Sequence, residues 1–247
     1  MSMEKAAGLV IKSVNYGEND KIITLFTKES GKITAIAKGA RNPKSAYVGV
    51  TQLFSYCNFV YYTGRSFAYL NQAELIESFH KLRNDLDKLS KGAYMAEALN
   101  QAYEEYESDE SALRLILNLL YFMNEGLVQS DEVILLAFQI KLLGYLGFAP
   151  NLKKCQICSK CDSGWWFSWD LGGLVCKDCS KNNRQNSKIA DQDAEFLRYL
   201  QDTPISGLKK TGLYPKELMH LAVILNKTLE CHTGKRNRSF EFLLNNN

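Results

Sequence analysis

The apolar residues of this chain change period once, near residue 80, and that single change restricts the fold more than any other feature. Before it, Ile33, Ala35 and Ala37 alternate with Lys32, Thr34 and Lys38, the period of a strand. After it, Leu82, Leu86, Leu89, Ala93, Ala96 and Leu99 recur every three or four residues, the period of a helix. Strands gathered at one end and helices at the other predict an α+β multidomain chain. With 247 residues, 46% of them hydrophobic, each part can bury a core of its own. The expected division is a barrel over 1–79 and an α-helical domain over 80–247.

Five strands are expected in the first part, over 8–14, 21–27, 32–38, 53–62 and 67–75. Short strands with tight turns and a longer loop after the third fit a closed barrel of the oligonucleotide-binding (OB) type, since an open sheet would leave two edges unpaired. The fourth strand is apolar on both faces, Phe54, Tyr56, Val60 and Tyr62 on one and Leu53, Cys57, Phe59 and Tyr61 on the other. One face lines the barrel. The other is either covered by the helical part or left as a platform on which bases stack.

Charge singles out the same region. The net charge is only +3, yet no Asp or Glu occurs between Glu29 and Glu74, where Lys32, Lys38, Arg41, Lys44 and Arg65 accumulate beside Tyr56, Phe59, Tyr61 and Tyr62. Interleaved cations and aromatic rings suit a nucleic-acid backbone and its bases. Lys32 and Lys38 share a strand face and are expected to point outward. Gly39, Asn42 and Pro43 end the strand and should hold Arg41 and Lys44 on an exposed loop. The competing reading is an ordinary solvated strand face.

In the second part, helices are expected from Leu82 through Tyr103, from a cap at Ser108 and Asp109, and from Ser130 to Gly147. The last is apolar nearly all round and belongs at the centre of a bundle. A further helix follows Ala190, and another occupies 216–231. Five of the seven cysteines lie between Gly147 and Ala190. Cys155 with Cys158, and Cys176 with Cys179, form two CxxC pairs that place thiolates as tetrahedral zinc requires. Cys161 could replace Cys158 in the first pair; Cys158 is preferred because it keeps the geometry of two knuckles. Four thiolates fill the zinc shell, so one structural zinc per chain is expected in an insertion at 152–182, contributing on the order of 10 kcal/mol to its folding. Trp165, Trp166, Phe167 and Trp169 should form a hairpin between the pairs.

No nucleotide loop GxxxxGK[ST], no HExxH, no GxSxG and no HxE beside the CxxC pairs occurs, and His80, His220 and His232 are scattered. The chain is therefore not expected to be an enzyme. The alternatives are a zinc-dependent nucleic-acid-processing enzyme and a protein-interaction scaffold. Neither an export signal nor a membrane span is expected, because Glu4 and Lys5 interrupt the start and Gln139 and Lys141 the most apolar segment. The basic tail Lys235, Arg236 and Arg238, before Phe240 and Phe242, could receive an acidic segment with an apolar end, or simply begin a solvated helix.

YGENDKIITLFTKESGKITAIAKGARNPKS, then AELIESFHKLRNDLDKLSKGAYMAE, the two CxxC pairs and GKRNRSFEFL together resemble the RecO family of bacterial DNA repair proteins, in the same order and over essentially the whole chain. That family tends to have Arg where Asn42 stands and usually one cysteine fewer, which makes Cys161 a departure. The resemblance implies a cytoplasmic, nucleoid-associated recombination mediator. Such a protein binds single- and double-stranded DNA, anneals strands coated with single-strand-binding protein, whose tail it receives, and works with RecR to load RecA.

Overall fold

A strand of alternating pattern buries one face only by closing with its neighbours, and in the computed structural model the first five strands do this. The structure describes residues 2–64, 67–160, 164–210, 215 and 217–245. Strands β1 (Met3–Tyr16), β2 (Asp20–Thr27), β3 (Gly31–Ala37), β4 (Tyr56–Tyr62) and β5 (Ala68–Glu77) form a closed barrel in the order β1-β2-β3-β5-β4. All pairings are antiparallel except β3 with β5. This Greek-key order is that of the expected OB-type barrel. Val10, Ile23, Leu25, Ile33, Ala35, Cys57, Phe59 and Tyr61 fill it. β4 thus turns its odd-numbered residues inward. On its outer face Tyr56 and Val60 are half-buried and Tyr62 is 37% exposed.

The expected fourth strand begins only at Tyr56, because residues 53–55 form a turn in which Phe54 is fully buried at φ 70°, and a short helix, α1 (Tyr47–Val50), precedes that turn. The long helix also starts late. A single turn α2 (His80–Arg83) ends at Asn84, and Asp85 begins α3 (Leu86–Ala102) by accepting from the backbone of Asp87 and Lys88. The stripe at Leu82, Leu86 and Leu89 therefore crosses a break set by capping chemistry. α4 (Glu110–Glu125) starts on Asp109, whose carboxylate accepts from the Ser111 and Ala112 N–H groups.

Residues cluster into two compact units, Met1–Asn124 with Arg238–Asn247, and Glu125–Asn237. The first holds the barrel, α2 to α4 and the terminal helix α9 (Arg238–Asn245), which packs on α3. Phe240 and Leu243 are buried there, the Phe240 ring lying 5.0 Å from that of Tyr94. The second is centred on α5 (Asp131–Tyr145), buried along Val133–Ile140, Leu142 and Leu143 as its all-round apolar pattern predicts. α7 (Asp191–Asp202) and α8 (Leu218–Thr233) pack on it. Between α5 and α7 lies a small sheet, β7 (Gly173–Cys176), β6 (Trp165–Ser168) and β8 (Asn186–Lys188), with the turn α6 (Lys177–Ser180). The hairpin β6-β7 matches expectation; β8 is a third strand, formed by the polar residues Asn186–Lys188. Among the described residues no helix is long and apolar enough to cross a membrane.

Candidate nucleic-acid interface and metal centre

Residues 16–20 and 38–45 are far apart in the chain and are joined in the fold. The β1-β2 turn is YGEND, and the loop after β3 is KGARNPKS. The Arg41 backbone N–H donates to the Asn19 carbonyl at 2.9 Å and its guanidinium Nη1 to the Gly17 carbonyl at 2.7 Å. The Gly39 N–H donates to Asp20 Oδ1 at 2.7 Å. Asp20 thus stabilises the neighbouring loop as well as standing in its own turn. Gly39 adopts φ 66°, which glycine tolerates without strain. Asn42 Oδ1 accepts from the Lys44 N–H at 3.0 Å, a local turn of the kind that asparagine favours.

This stitching leaves Lys38, Arg41 and Lys44 exposed on one rigid rim. Lys38 Nζ lies over the Tyr69 ring at 5.6 Å, and the exposed rings of Tyr16, Tyr62 and Phe67 belong to the same barrel. Lys32 is different. It does lie on the outer face of β3, yet it is only 7% exposed rather than outward-pointing in solvent. The segment after α3 pairs with β3, the Tyr106 N–H donating to the Lys32 carbonyl and the Lys32 N–H to that of Glu107. Under this cover Lys32 Nζ donates to the carbonyls of Asn100 and Tyr103 at the end of α3. A cation at a helix C-terminus satisfies carbonyls that have no partner within the helix. Arg65 lies outside the described residues.

The second constellation is in the small sheet. The sulfurs of Cys155, Cys158, Cys176 and Cys179 all lie within 4.8 Å of one another, with Cys158 Sγ to Cys176 Sγ at 3.7 Å. Disulfide sulfurs would be about 2 Å apart, whereas sulfurs around one tetrahedral ion at about 2.3 Å are about 3.8 Å apart. Cys155 is held in place by the carbonyl of Lys160, and its sulfur accepts from the Cys176 N–H at 3.4 Å. Burial works to raise the Cys155 thiol, but N–H groups of Cys158, Cys176 and Ile157 outweigh it and bring it down to about 6. Cys179 is pushed up to about 12, first by its hydrogen bond with Cys176 and then by burial. Four thiols this close cannot all ionise unaided, and a cation among them supplies the missing charge. These four residues could hold a metal ion. Cys161 lies outside the described residues.

Residues 1–79 match the family profile of the Recombination protein O N-terminal domain, and residues 83–241 that of its C-terminal domain. The chain belongs to the RecO family. Among its RecO relatives, a DNA repair protein RecO of Acetivibrio thermocellus is 35% identical over 244 residues, 98% of this chain and 97% of that protein. One of Halalkalibacterium halodurans is 33% identical over 239 residues, 97% of this chain and 93% of that protein. One of Alkaliphilus metalliredigens is 37% identical over 227 residues, covering 92% and 90%.

Two features of this RecO chain are not apparent in the linear sequence. Tyr69 carries no motif, and only the parallel β3-β5 pairing, with Ile36 opposite Tyr69, brings it near Lys38. The other is an apolar groove of about 450 Å³ lined by Leu53, Leu86, Leu89, Ala93, Arg238 and Phe242. It exists because the Glu97 carboxylate accepts from the Arg238 and Ser239 N–H groups and so anchors the start of α9 beside α3.

Proposed function

We propose that this protein is a DNA-binding recombination mediator that acts in DNA repair without catalytic turnover. Residues 1–79 are its nucleic-acid-binding domain. The carrying observation is the rim of Lys38, Arg41 and Lys44, exposed and without an ion pair among the described residues, at the end of a closed OB-order barrel. The names of its relatives, DNA repair protein RecO, support the same reading. Arg65 remains in the set on the sequence pattern, and Lys32 is left out because its ammonium serves α3. Contacts to backbone leave base edges free, which suits annealing of complementary strands. RecR, RecA and single-strand-binding protein are the proposed partners. The groove beside α9, apolar with Arg238 at its edge, is proposed to receive the acidic, apolar-ended tail of the last. The cysteine set is proposed to hold one zinc ion, a closed structural site with no position left for an activated water.

Binding of labelled single-stranded and duplex oligonucleotides, measured against salt, tests this. Each neutralised phosphate contributes roughly 0.7 to the slope of log affinity against log salt on single strands and roughly 0.9 on duplex. A K38A/R41A/K44A variant should lose about two units of slope on single strands and close to three on duplex, about equally for unrelated sequences. A folded variant with unchanged affinity and slope would remove the barrel rim as the binding surface.

A further inference from the structure

The cations of this chain gather in two places. Besides the stretch after Glu29, residues 151–189 carry seven Lys and Arg against three Asp, a balance of +4 in a chain whose overall charge is +3. Everything else is therefore net acidic, and charge segregated in this way marks surfaces rather than general solubility. The second concentration lies on the cysteine knob. The carbonyl of Lys160 closes the first knuckle onto Cys155 at 2.9 Å, Lys177 opens α6 directly after Cys176, and Lys181 ends that turn. The knuckles face each other across sulfurs within 4.8 Å, and Lys160, Lys177 and Lys181 beside them are all exposed, as are Lys153 and Lys154 just before the first. Lys181 pairs with Asp178 at 3.0 Å, but the two are 65% and 83% exposed, so the pair is worth little. Asp170 is exposed but accepts from Ser168 and Asn183, and Asp162 lies outside the described residues. Ile157, at the tip of the first knuckle, is 53% exposed and offers an apolar contact between the cations.

The lysines could simply balance the metal. Four thiolates around a divalent ion carry −2, and Lys160, Lys177 and Lys181 less Asp178 offset just that. Lys153, Lys154, Arg184 and Lys188, all exposed, are left over, and of these Lys188 lies over the Trp166 ring at 5.8 Å. We infer that the cysteine knob is a second nucleic-acid-binding surface, in which Lys153, Lys154, Lys160, Lys177, Lys181 and Arg184 contact phosphates. The barrel rim lies in one compact unit and the knob in the other, so each surface belongs to its own unit. Each surface is tested by its own variant, so the two readings can fail separately.

The test titrates the full, metal-loaded chain with a short fluorescent oligothymidylate, too short to serve both surfaces, at low salt. Two oligonucleotides should bind per wild-type chain, and one to either K38A/R41A/K44A or K160Q/K177Q/K181Q. In the barrel-variant background, adding the three knob changes should weaken the remaining binding about 100-fold at 0.1 M salt and flatten its slope by about two units. Metal content unchanged at one per chain certifies the knob. If that variant loses metal, K153Q/K154Q/R184Q, which leaves both knuckles untouched, makes the same measurement. One oligonucleotide per wild-type chain, with stoichiometry and affinity unaffected by the knob changes, would overturn the inference and turn the lysines toward an acidic polypeptide or the metal alone. Loss of binding in the knob variant only would uphold it while removing the barrel rim.

Discussion

Lys32 and Lys38 occupy the same face of β3 and its continuation, yet one is a structural cation and the other a candidate contact. Alternation along the strand shows which side each faces, because that follows from the pleat. It cannot show that residues 103–107 will lie over the first, since those residues reach β3 from beyond α3. Replacing Lys32 by Met should therefore cost stability, about 1.5–3 kcal/mol for charged hydrogen bonds removed from carbonyls that stay covered. A urea midpoint shifted downward, with an unaltered salt slope for DNA, is the expected result; a flattened slope would return Lys32 to the binding set. Cys57 gives a second prediction at this scale. Burial pushes its thiol up to about 12 from an ordinary value near 9, with a smaller opposing hydrogen bond from the Ile76 backbone. The folded pKa is the higher one, so this contribution is complete below about pH 9 and is lost as pH rises toward 12. A Cys57→Val chain should lack that part of the alkaline fall in urea midpoint, and a fall of equal size in both chains would place its cause elsewhere.

At the level of elements, what sequence makes legible is period, and what it hides is contact between periods. The five-stranded barrel, the central helix α5 and the hairpin β6-β7 all follow from local pattern. The break before α3, the late start of β4 and the strand β8 do not, because an aspartate cap, a buried Phe54 and the free edge of β6 decide them. β8 is polar throughout; it forms because β6 offers unpaired backbone groups, and Asn186 adds bonds to the Ser180 and Asn183 carbonyls. Of the candidate sites, the gathering of four cysteines is readable from spacing alone, whereas the joining of YGEND to KGARNPKS needs the barrel. Gly92 shows how a hidden contact outweighs propensity. Alanine in the middle of α3 should gain about 1 kcal/mol over glycine. A Cβ at Gly92, however, would lie 2.7 Å from Phe54 Cζ and 3.2 Å from its Cε2, inside a core that cannot yield. Overpacking of this kind costs about 1–3 kcal/mol, so Gly92→Ala should be destabilising on balance, and Phe54→Leu should relieve part of the effect in the double variant. A more stable single variant would mean that Phe54 has room to move.

For the whole molecule, connectivity and compactness disagree in an informative way. The unit that begins at Met1 is completed only by Arg238–Asn247, so Glu125–Asn237 is inserted into it along the chain. An inserted unit must fold, or fail to fold, without pulling its host apart, and here the two can be watched separately. All three tryptophans, Trp165, Trp166 and Trp169, lie in the cysteine knob, while Cys57 lies in the barrel core. Trp165 is 7% exposed and stands opposite Cys176 in the β6-β7 ladder, so a change at that cysteine reaches it directly. Removing a structural metal withdraws on the order of 10 kcal/mol, more than so small a sheet gains from its own burial. A strong chelator, or Cys176→Ser, should therefore shift tryptophan emission to the red and flatten its urea transition. The barrel draws its stability from its own closed ladder and core, so Cys57 should keep its protection from thiol reagents, followed by mass spectrometry of its peptide. Simultaneous exposure of Cys57 would show that the host unit depends on the inserted one, and an unmoved tryptophan spectrum would show that the four cysteines hold no metal that matters to the fold.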